Sequence, residues 1–128
     1  MLLFDTCTLL WLASAPEKLS GRARELIEDD LGGMFVSSIS AFEVAVKHKR
    51  GKLTLPGDPA KWFSLALEHL GIREIEVNGD IFARSVSLPD LHKDPCDRII
   101  AATSMVYGLK CLSPDRLIRQ YPGVEMEW

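Results

Sequence analysis

The stretch at residues 91–102 constrains the fold more than any other part of the chain. Two carboxyl residues, Asp94 and Asp97, stand three positions apart and are followed at once by an almost uninterrupted apolar run. Asp94 is a good helix N-cap, Pro95 suits the first helical position, and an acidic residue in the first turn favours the positive end of the helix dipole. The stretch therefore predicts a helix whose start presents negative charge and whose body enters a core.

Short apolar runs alternate with segments of helical periodicity along the whole chain. Strands are predicted at residues 1–5, 34–37, 72–77 and 109–112. Helices are predicted at residues 6–13, 20–31, 43–50, 58–70, 78–88, 95–107 and 116–120. Residues 124–128 fit either a last short strand or a tail packed on the sheet. The alternation predicts a single α/β domain over residues 1–128, with a mainly parallel sheet and right-handed crossovers.

Four carboxyl residues follow predicted strands or open predicted helices: Asp5, Glu43, Asp97 and Asp115. In an open parallel sheet the crevice that binds ligands lies at the carboxyl ends of the strands, and all four residues are expected to reach that edge. Each residue also has a purely structural interpretation. Asp5 and Asp115 are suitable helix N-caps, and Ser40 with Glu43 forms the pattern of a capping box. The occurrence of four such residues favours a shared site over four independent caps.

The chemistry of this carboxylate set points to a hard metal ion. Carboxylates held a few ångströms apart repel one another, so some must bind protons unless a cation lies among them. Oxygen ligands suit Mg²⁺ or Mn²⁺, and the sequence has no His or Cys cluster of the kind that binds zinc. Its three cysteines lack C-x-x-C spacing and are interpreted as reduced thiols: Cys7, Cys96 and Cys111. Because such an ion activates water for displacement at phosphorus, the set predicts nuclease chemistry.

The charge balance limits how the protein could meet a nucleic acid. A formal net charge of -3 excludes a general basic field, so contacts with the phosphates of a nucleic acid would depend on local cations. The candidates are Lys47, Lys49, Arg50 and Arg98. In the simpler interpretation, residues 47–52 are only the solvated end of a helix whose dipole favours cations. No apolar run is long enough to span a bilayer and no basic segment precedes the first apolar run, so a cytoplasmic protein without membrane contact is expected.

These residues resemble the four acidic motifs of PIN-domain ribonucleases. The motifs read Leu3-Phe4-Asp5-Thr6, Ser40-Ala41-Phe42-Glu43, His92-Lys93-Asp94-Pro95-Cys96-Asp97-Arg98 and Ser113-Pro114-Asp115. Over residues 1–121 the chain is similar to the VapC-type toxins of bacterial and archaeal toxin-antitoxin pairs. The resemblance implies a three-layer α/β/α sandwich with four to five strands. It also implies a Mg²⁺- or Mn²⁺-dependent endoribonuclease, usually a homodimer, held inactive by an antitoxin whose tail covers the acidic site.

The resemblance also implies roles for individual residues. The metal-binding and catalytic set would be Asp5, Glu43, Asp97 and Asp115. Asp94 would be an alternative or supporting ligand, one turn before Asp97. Thr6 and Ser113 would hydrogen-bond a ligand carboxylate or a metal-bound water. The chain departs from the usual pattern at Cys7, where Asn or His is common, at Cys96, where Phe is usual, and at Pro114, which stiffens the turn before Asp115.

Three other interpretations start from the same residues. A degenerate PIN domain would bind RNA or protein without chemistry, and a metal titration distinguishes it from a nuclease. A phosphatase with Asp5 as the phosphoryl acceptor requires a second acid two positions later, where Cys7 stands. A flavodoxin-like nucleotide binder requires a glycine-rich loop after the first strand, which is absent.

Overall fold

A sheet of five parallel strands lies at the centre of the computed structural model, which describes residues 1–128. The strands are β1 (Leu2–Phe4), β2 (Met34–Ser37), β3 (Arg73–Ile75), β4 (Lys110–Leu112) and β5 (Met126–Glu127). Their order across the sheet is β3-β2-β1-β4-β5. The last residues therefore form a strand, and the mainly parallel sheet expected from the sequence is confirmed. The strand predicted at residues 72–77 lies at one edge of the sheet, as its alternation of apolar and charged residues indicates.

Seven α-helices and one short 3₁₀ helix at Pro16–Lys18 connect the strands. The α-helices are α1 (Thr6–Ser14), α2 (Gly21–Asp29), α3 (Ile39–Lys49), α4 (Pro59–Leu70), α5 (Gly79–Ser87), α6 (Pro95–Tyr107) and α7 (Arg116–Arg119). Gly71 and Gly108 end α4 and α6 in the left-handed conformation that glycine adopts without strain. None of these helices is both long and apolar enough to cross a membrane.

The two faces of β1 are buried in separate apolar clusters, because successive side chains of a strand point to opposite faces. Leu2 and Phe4 belong to a cluster that includes side chains from α1, α2 and α4. Leu3 packs on the other face in a cluster that includes side chains from α6 and α7. Helices thus cover both faces of the sheet, which confirms the three-layer α/β/α arrangement.

Helix α3 begins four residues earlier than the sequence indicates, and the capping box of Ser40 and Glu43 does not form. The Ser37 hydroxyl already accepts the backbone N–H of Ile39 at the end of β2, at 3.1 Å. Ser38 is the N-cap but makes no side-chain cap, since its hydroxyl accepts the N–H of Val77 instead. Glu43 consequently lies one turn inside the helix, with its carboxylate directed to another partner.

Candidate metal centre

The four predicted carboxyl residues line one cleft at the carboxyl edge of the sheet. The chain connects β1 to β2 on one side and β4 lies on the other side of β1, so this edge is a topological switch point. The cleft has a volume of ≈ 290 Å³. It is lined by Asp5, Thr6, Cys7, Glu43, Lys47, Asp94, Asp97, Pro114 and Asp115. Residues from four separate parts of the sequence are therefore brought together. Pro114, which stiffens the turn before Asp115, does not keep Asp115 out of the cleft.

Asp5 serves both as a helix cap and as a wall of the cleft. Its side chain is only 4% exposed. One carboxylate oxygen, Oδ1, accepts the N–H of Thr8 at 2.8 Å and so caps α1. The other, Oδ2, accepts the hydroxyl of Ser113 at 2.5 Å. Burial raises the pKa of Asp5, against the opposing effect of these hydrogen bonds. The capping interpretation and the site interpretation are thus compatible, because a carboxylate has two oxygens.

Glu43 is oriented by the hydroxyl group of Thr6 at the start of α1. Thr6 Oγ1 donates to Glu43 Oε1 at 2.6 Å and lies 2.8 Å from the hydroxyl of Ser40. Burial raises the pKa of Glu43, and the charge of Lys47 opposes that rise. The contact joins α1 to α3 across the cleft, so the position of Glu43 depends on a residue 37 positions earlier.

Asp97 and Asp115 meet at a histidine, His92, whose role the sequence did not predict. His92 Nε2 lies 2.9 Å from Asp97 Oδ2 and 2.8 Å from Asp115 Oδ2. Its other ring nitrogen, Nδ1, accepts the backbone N–H of Asp94 at 3.2 Å, which assigns the ring proton to Nε2. Asp115 Oδ1 caps α7 through the N–H of Leu117. The only signal for His92 in the sequence is its place inside the third acidic motif.

Like charges crowd around Asp97. Burial raises its pKa to about 7, and the carboxylates of Asp94 and Glu43 add to this effect. Asp94 Oδ1 meanwhile caps α6 by accepting the N–H of Cys96. Such crowding leaves carboxylates that either hold protons or share a cation. The donor set, mainly carboxylate oxygen, fits a hard divalent ion such as Mg²⁺ or Mn²⁺.

Two groups of potential ligand atoms lie side by side. One consists of Glu43, Asp94 and Cys96, and the other of His92, Asp97 and Asp115. Within each group, the atoms lie within 4.8 Å of one another. Burial raises the pKa of the Cys96 thiol to about 12, so the thiol is a poor ligand beside the carboxylates.

The basic residues predicted to contact phosphate take different positions. Lys47 lines the cleft, and Arg50 lines an adjoining depression. Lys49 is exposed and lines neither.

Arg98, which the sequence predicted to contact phosphate, makes many hydrogen bonds within the protein. Its guanidinium donates to the backbone carbonyls of Ser85, Val86, Leu88, Pro89 and His92 and to the hydroxyl of Tyr121. The side chain is only 12% exposed. Through these contacts Arg98 holds the segment between α5 and α6 in place.

Comparisons with known proteins agree with this fold. Residues 2–124 match the PIN domain family. Ribonuclease VapC22 of Mycobacterium tuberculosis is 30% identical over 122 residues, which cover 93% of this chain and 90% of that protein. Among solved structures, a toxin-antitoxin complex from Klebsiella pneumoniae is similar, with 26% identity, a TM-score of 0.67 and coverage of 97% of this chain and 95% of that one.

DNA-bound VapBC from Salmonella typhimurium shares the fold, with 17% identity, a TM-score of 0.70 and coverage of 98% of this chain and 96% of that one. The resemblance inferred from the four acidic motifs is thereby confirmed. The chain belongs to the PIN domain family, among relatives of the VapC ribonucleases.

Proposed function

We propose that this protein is a metal-dependent endoribonuclease and the toxin of a toxin-antitoxin pair, neutralised by a cognate antitoxin. The observation that carries the proposal is the convergence of four carboxyl residues on one cleft at the switch point of the sheet: Asp5, Glu43, Asp97 and Asp115. The relative from Mycobacterium tuberculosis is named a ribonuclease, and the similar structure from Klebsiella pneumoniae is a toxin-antitoxin complex. Both relationships support the same function.

The proposed cofactor is Mg²⁺ or Mn²⁺, held by those four residues, with Asp94 as an alternative ligand. When bound, such an ion supplies activation of the attacking water and neutralises charge at the scissile phosphate. The raised pKa values of Asp5, Glu43 and Asp97 mean that protons compete with the ion for the carboxylates. Affinity for the ion should therefore increase as the pH rises.

The remaining residues of the cleft orient these carboxylates. The Ser113 hydroxyl and the Thr8 N–H each hold one oxygen of Asp5. The Thr6 hydroxyl holds Glu43, and His92 draws Asp97 and Asp115 together. Lys47 is the cation that lines the cleft, and it is suited to holding a phosphate group of the RNA beside the reacting one.

A homodimer is part of the proposal. Four apolar side chains of α5 and α6 are exposed. They are Phe82 and Val86 on α5, and Met105 and Val106 on α6. Val86 is the most exposed of them, at 80%, and a patch of exposed apolar side chains marks a surface where another protein can bind. This surface supports association of two copies through α5 and α6.

The test is cleavage of a labelled RNA by purified protein in Mg²⁺ or Mn²⁺, compared with the same reaction in EDTA. Asp97→Asn, purified identically, controls for contaminating ribonuclease. Asp90→Asn is the matched control. Asp90 lies between α5 and α6, seven residues before Asp97, is fully exposed and does not line the cleft. Metal-dependent cleavage by the wild type and Asp90→Asn, but not by Asp97→Asn, is expected. Equal inactivity of all three proteins, together with no binding of metal, would instead favour a PIN domain that binds without chemistry.

A further inference from the structure

A depression adjoins the metal cleft along the outer surface of α3. It has a volume of ≈ 340 Å³ and shares three residues with the cleft: Glu43, Lys47 and Asp94. Beyond them, its wall includes Phe42, Val46, Arg50 and Lys52. Because three residues line both spaces, a polymer that leaves the cleft on this side enters the depression directly.

The lining of the depression includes an exposed aromatic ring. Phe42 and Val46 are four residues apart on α3, so they form one row along the helix surface, beside the row of Glu43 and Lys47. Phe42 is 58% exposed and belongs to none of the apolar clusters. It also has no aromatic or cationic partner. Its ring is therefore available for a planar ligand.

Three cations line the depression without forming a salt bridge. Lys47, Arg50 and Lys52 form no ion pair within 4.0 Å, in a protein whose net charge is -3. The helix dipole accounts for cations in the last turn of α3. It does not account for Lys52, which follows the turn at Gly51, or for the exposed ring beside these cations.

We propose that this depression, defined by Phe42, Val46, Lys47, Arg50 and Lys52 and named here the α3 subsite, binds one nucleotide of single-stranded RNA next to the scissile phosphate. The base stacks on Phe42 while Arg50 and Lys52 hold the backbone phosphate. Stacking on an aromatic side chain combined with cations along the backbone is how proteins bind single strands with little sequence preference. The inference rests on the proposed ribonuclease function and adds the residues, outside the cleft, that hold the nucleotide next to the scissile phosphate.

The charge distribution orients the nucleotide. Glu43 and Asp94 lie at the end shared with the cleft and repel a phosphate, whereas Arg50 and Lys52 line the depression outside the cleft. The phosphate outside the metal centre should therefore lie toward these two cations. A paired base has no free face for the ring, so the α3 subsite selects unpaired RNA.

The experiment measures stacking without relying on cleavage. Hexauridylate carrying 2-aminopurine at each position in turn is titrated with protein in Ca²⁺, an ion that also takes oxygen ligands. Stacking on Phe42 should quench 2-aminopurine fluorescence at one or two positions. Phe42→Ala should abolish most of the quenching and raise Kd about tenfold. Phe42→Trp should retain the quenching and the affinity of the wild type. Lys52→Ala should lower the slope of log Kd against log salt by about 0.7.

Tyr107→Ala is the matched control, because Tyr107 is a partly exposed aromatic residue at the far end of α6 from the cleft. It should behave as the wild type.

Unchanged quenching and affinity in Phe42→Ala, or no quenching at any position in the wild type, would overturn the α3 subsite. Cleavage in Mg²⁺ is measured separately. A wild type that cleaves RNA while Phe42→Ala binds equally well refutes the subsite alone. Quenching that depends on Phe42 in a protein that never cleaves refutes only the nuclease function.

Discussion

At the scale of single residues, capping a helix and facing the cleft are not competing roles. Asp5, Asp94 and Asp115 each cap a helix with one carboxylate oxygen while their side chains line the cleft. The place of these residues at the start of a helix could therefore be predicted from the sequence whether they cap the helix, line the cleft or do both. Glu43, one turn inside α3, caps no helix, and neither does Asp97, which lies in the first turn of α6. Its presence cannot be explained by helix capping, and it is the most informative residue to change.

We expect Asp97→Asn to leave the free energy of unfolding of the metal-free protein at pH 8 unchanged or higher, since it relieves repulsion with Asp94 and Glu43. The pKa of Asp97 rises from 3.8 to about 7 on folding. Between these values the folded state binds a proton that the unfolded state lacks, so wild-type stability should decrease as the pH rises from about 4 to about 7. Thermal unfolding in EDTA over this range should show a weaker decrease for the variant. A Tm several degrees below wild type at pH 8 would contradict the crowding argument.

Thr6→Val should weaken binding of Mn²⁺ by about tenfold to a hundredfold, because Glu43 loses the hydroxyl that orients it. The substitution keeps the shape of the side chain. Thr6→Ser, which keeps the hydroxyl, serves as the control and should bind Mn²⁺ nearly as well as the wild type. Isothermal titration calorimetry measures both affinities, and equal affinity for Thr6→Val and the wild type would show that Glu43 needs no support.

At the scale of elements, the strands and helices were largely predictable, whereas the residues that fix the segment between α5 and α6 were not. Apolar periodicity and end signals such as Gly71 and Gly108 mark the helices directly. Five of the partners of Arg98 are backbone carbonyls, which no residue type in the sequence indicates. His92 likewise acquires its role from Asp115, 23 residues later. The early start of α3 also depends on a residue distant in the sequence, because the Ser38 hydroxyl accepts a hydrogen bond from the N–H of Val77.

Arg98→Ala should destabilise the protein by about 3 kcal/mol, because it leaves several partly buried carbonyls without a donor. Arg98→Lys should recover only part of this loss, since an ammonium group has three donors and lacks the planar fork. Urea unfolding gives both values. Hydrogen exchange should also show faster opening of residues 88–93, and unchanged exchange there would mean that Arg98 does not hold this segment.

At the scale of the whole molecule, the order of the strands determines which residues share the cleft. The sequence predicted a parallel sheet but not that β1 lies between β2 and β4. That order places Asp5 beside Ser113 and brings the acidic motifs to one edge. Which outer surface remains free to meet another molecule also depends on this packing, and periodicity alone does not reveal it.

Val86→Glu should shift the protein toward monomer, because it places a charge in the apolar surface of α5 and α6. Leu31→Glu is the control. Leu31 is also an exposed apolar residue, but it follows the end of α2 and belongs to neither α5 nor α6. Sedimentation equilibrium measures the association of both variants and of the wild type. Identical association constants for Val86→Glu and the wild type would place any dimer contact elsewhere.

The hydrogen bond between Ser113 and Asp5 joins residues 108 positions apart, and this separation has a consequence for protein synthesis. During translation, Asp5 leaves the ribosome long before Ser113 and Asp115 exist. The nascent chain consequently has an incomplete acidic cleft until β4 and the turn after it have emerged. Under the proposed function, RNA cleavage would therefore begin only after most of the chain has been synthesised, because the acidic cleft is complete only then.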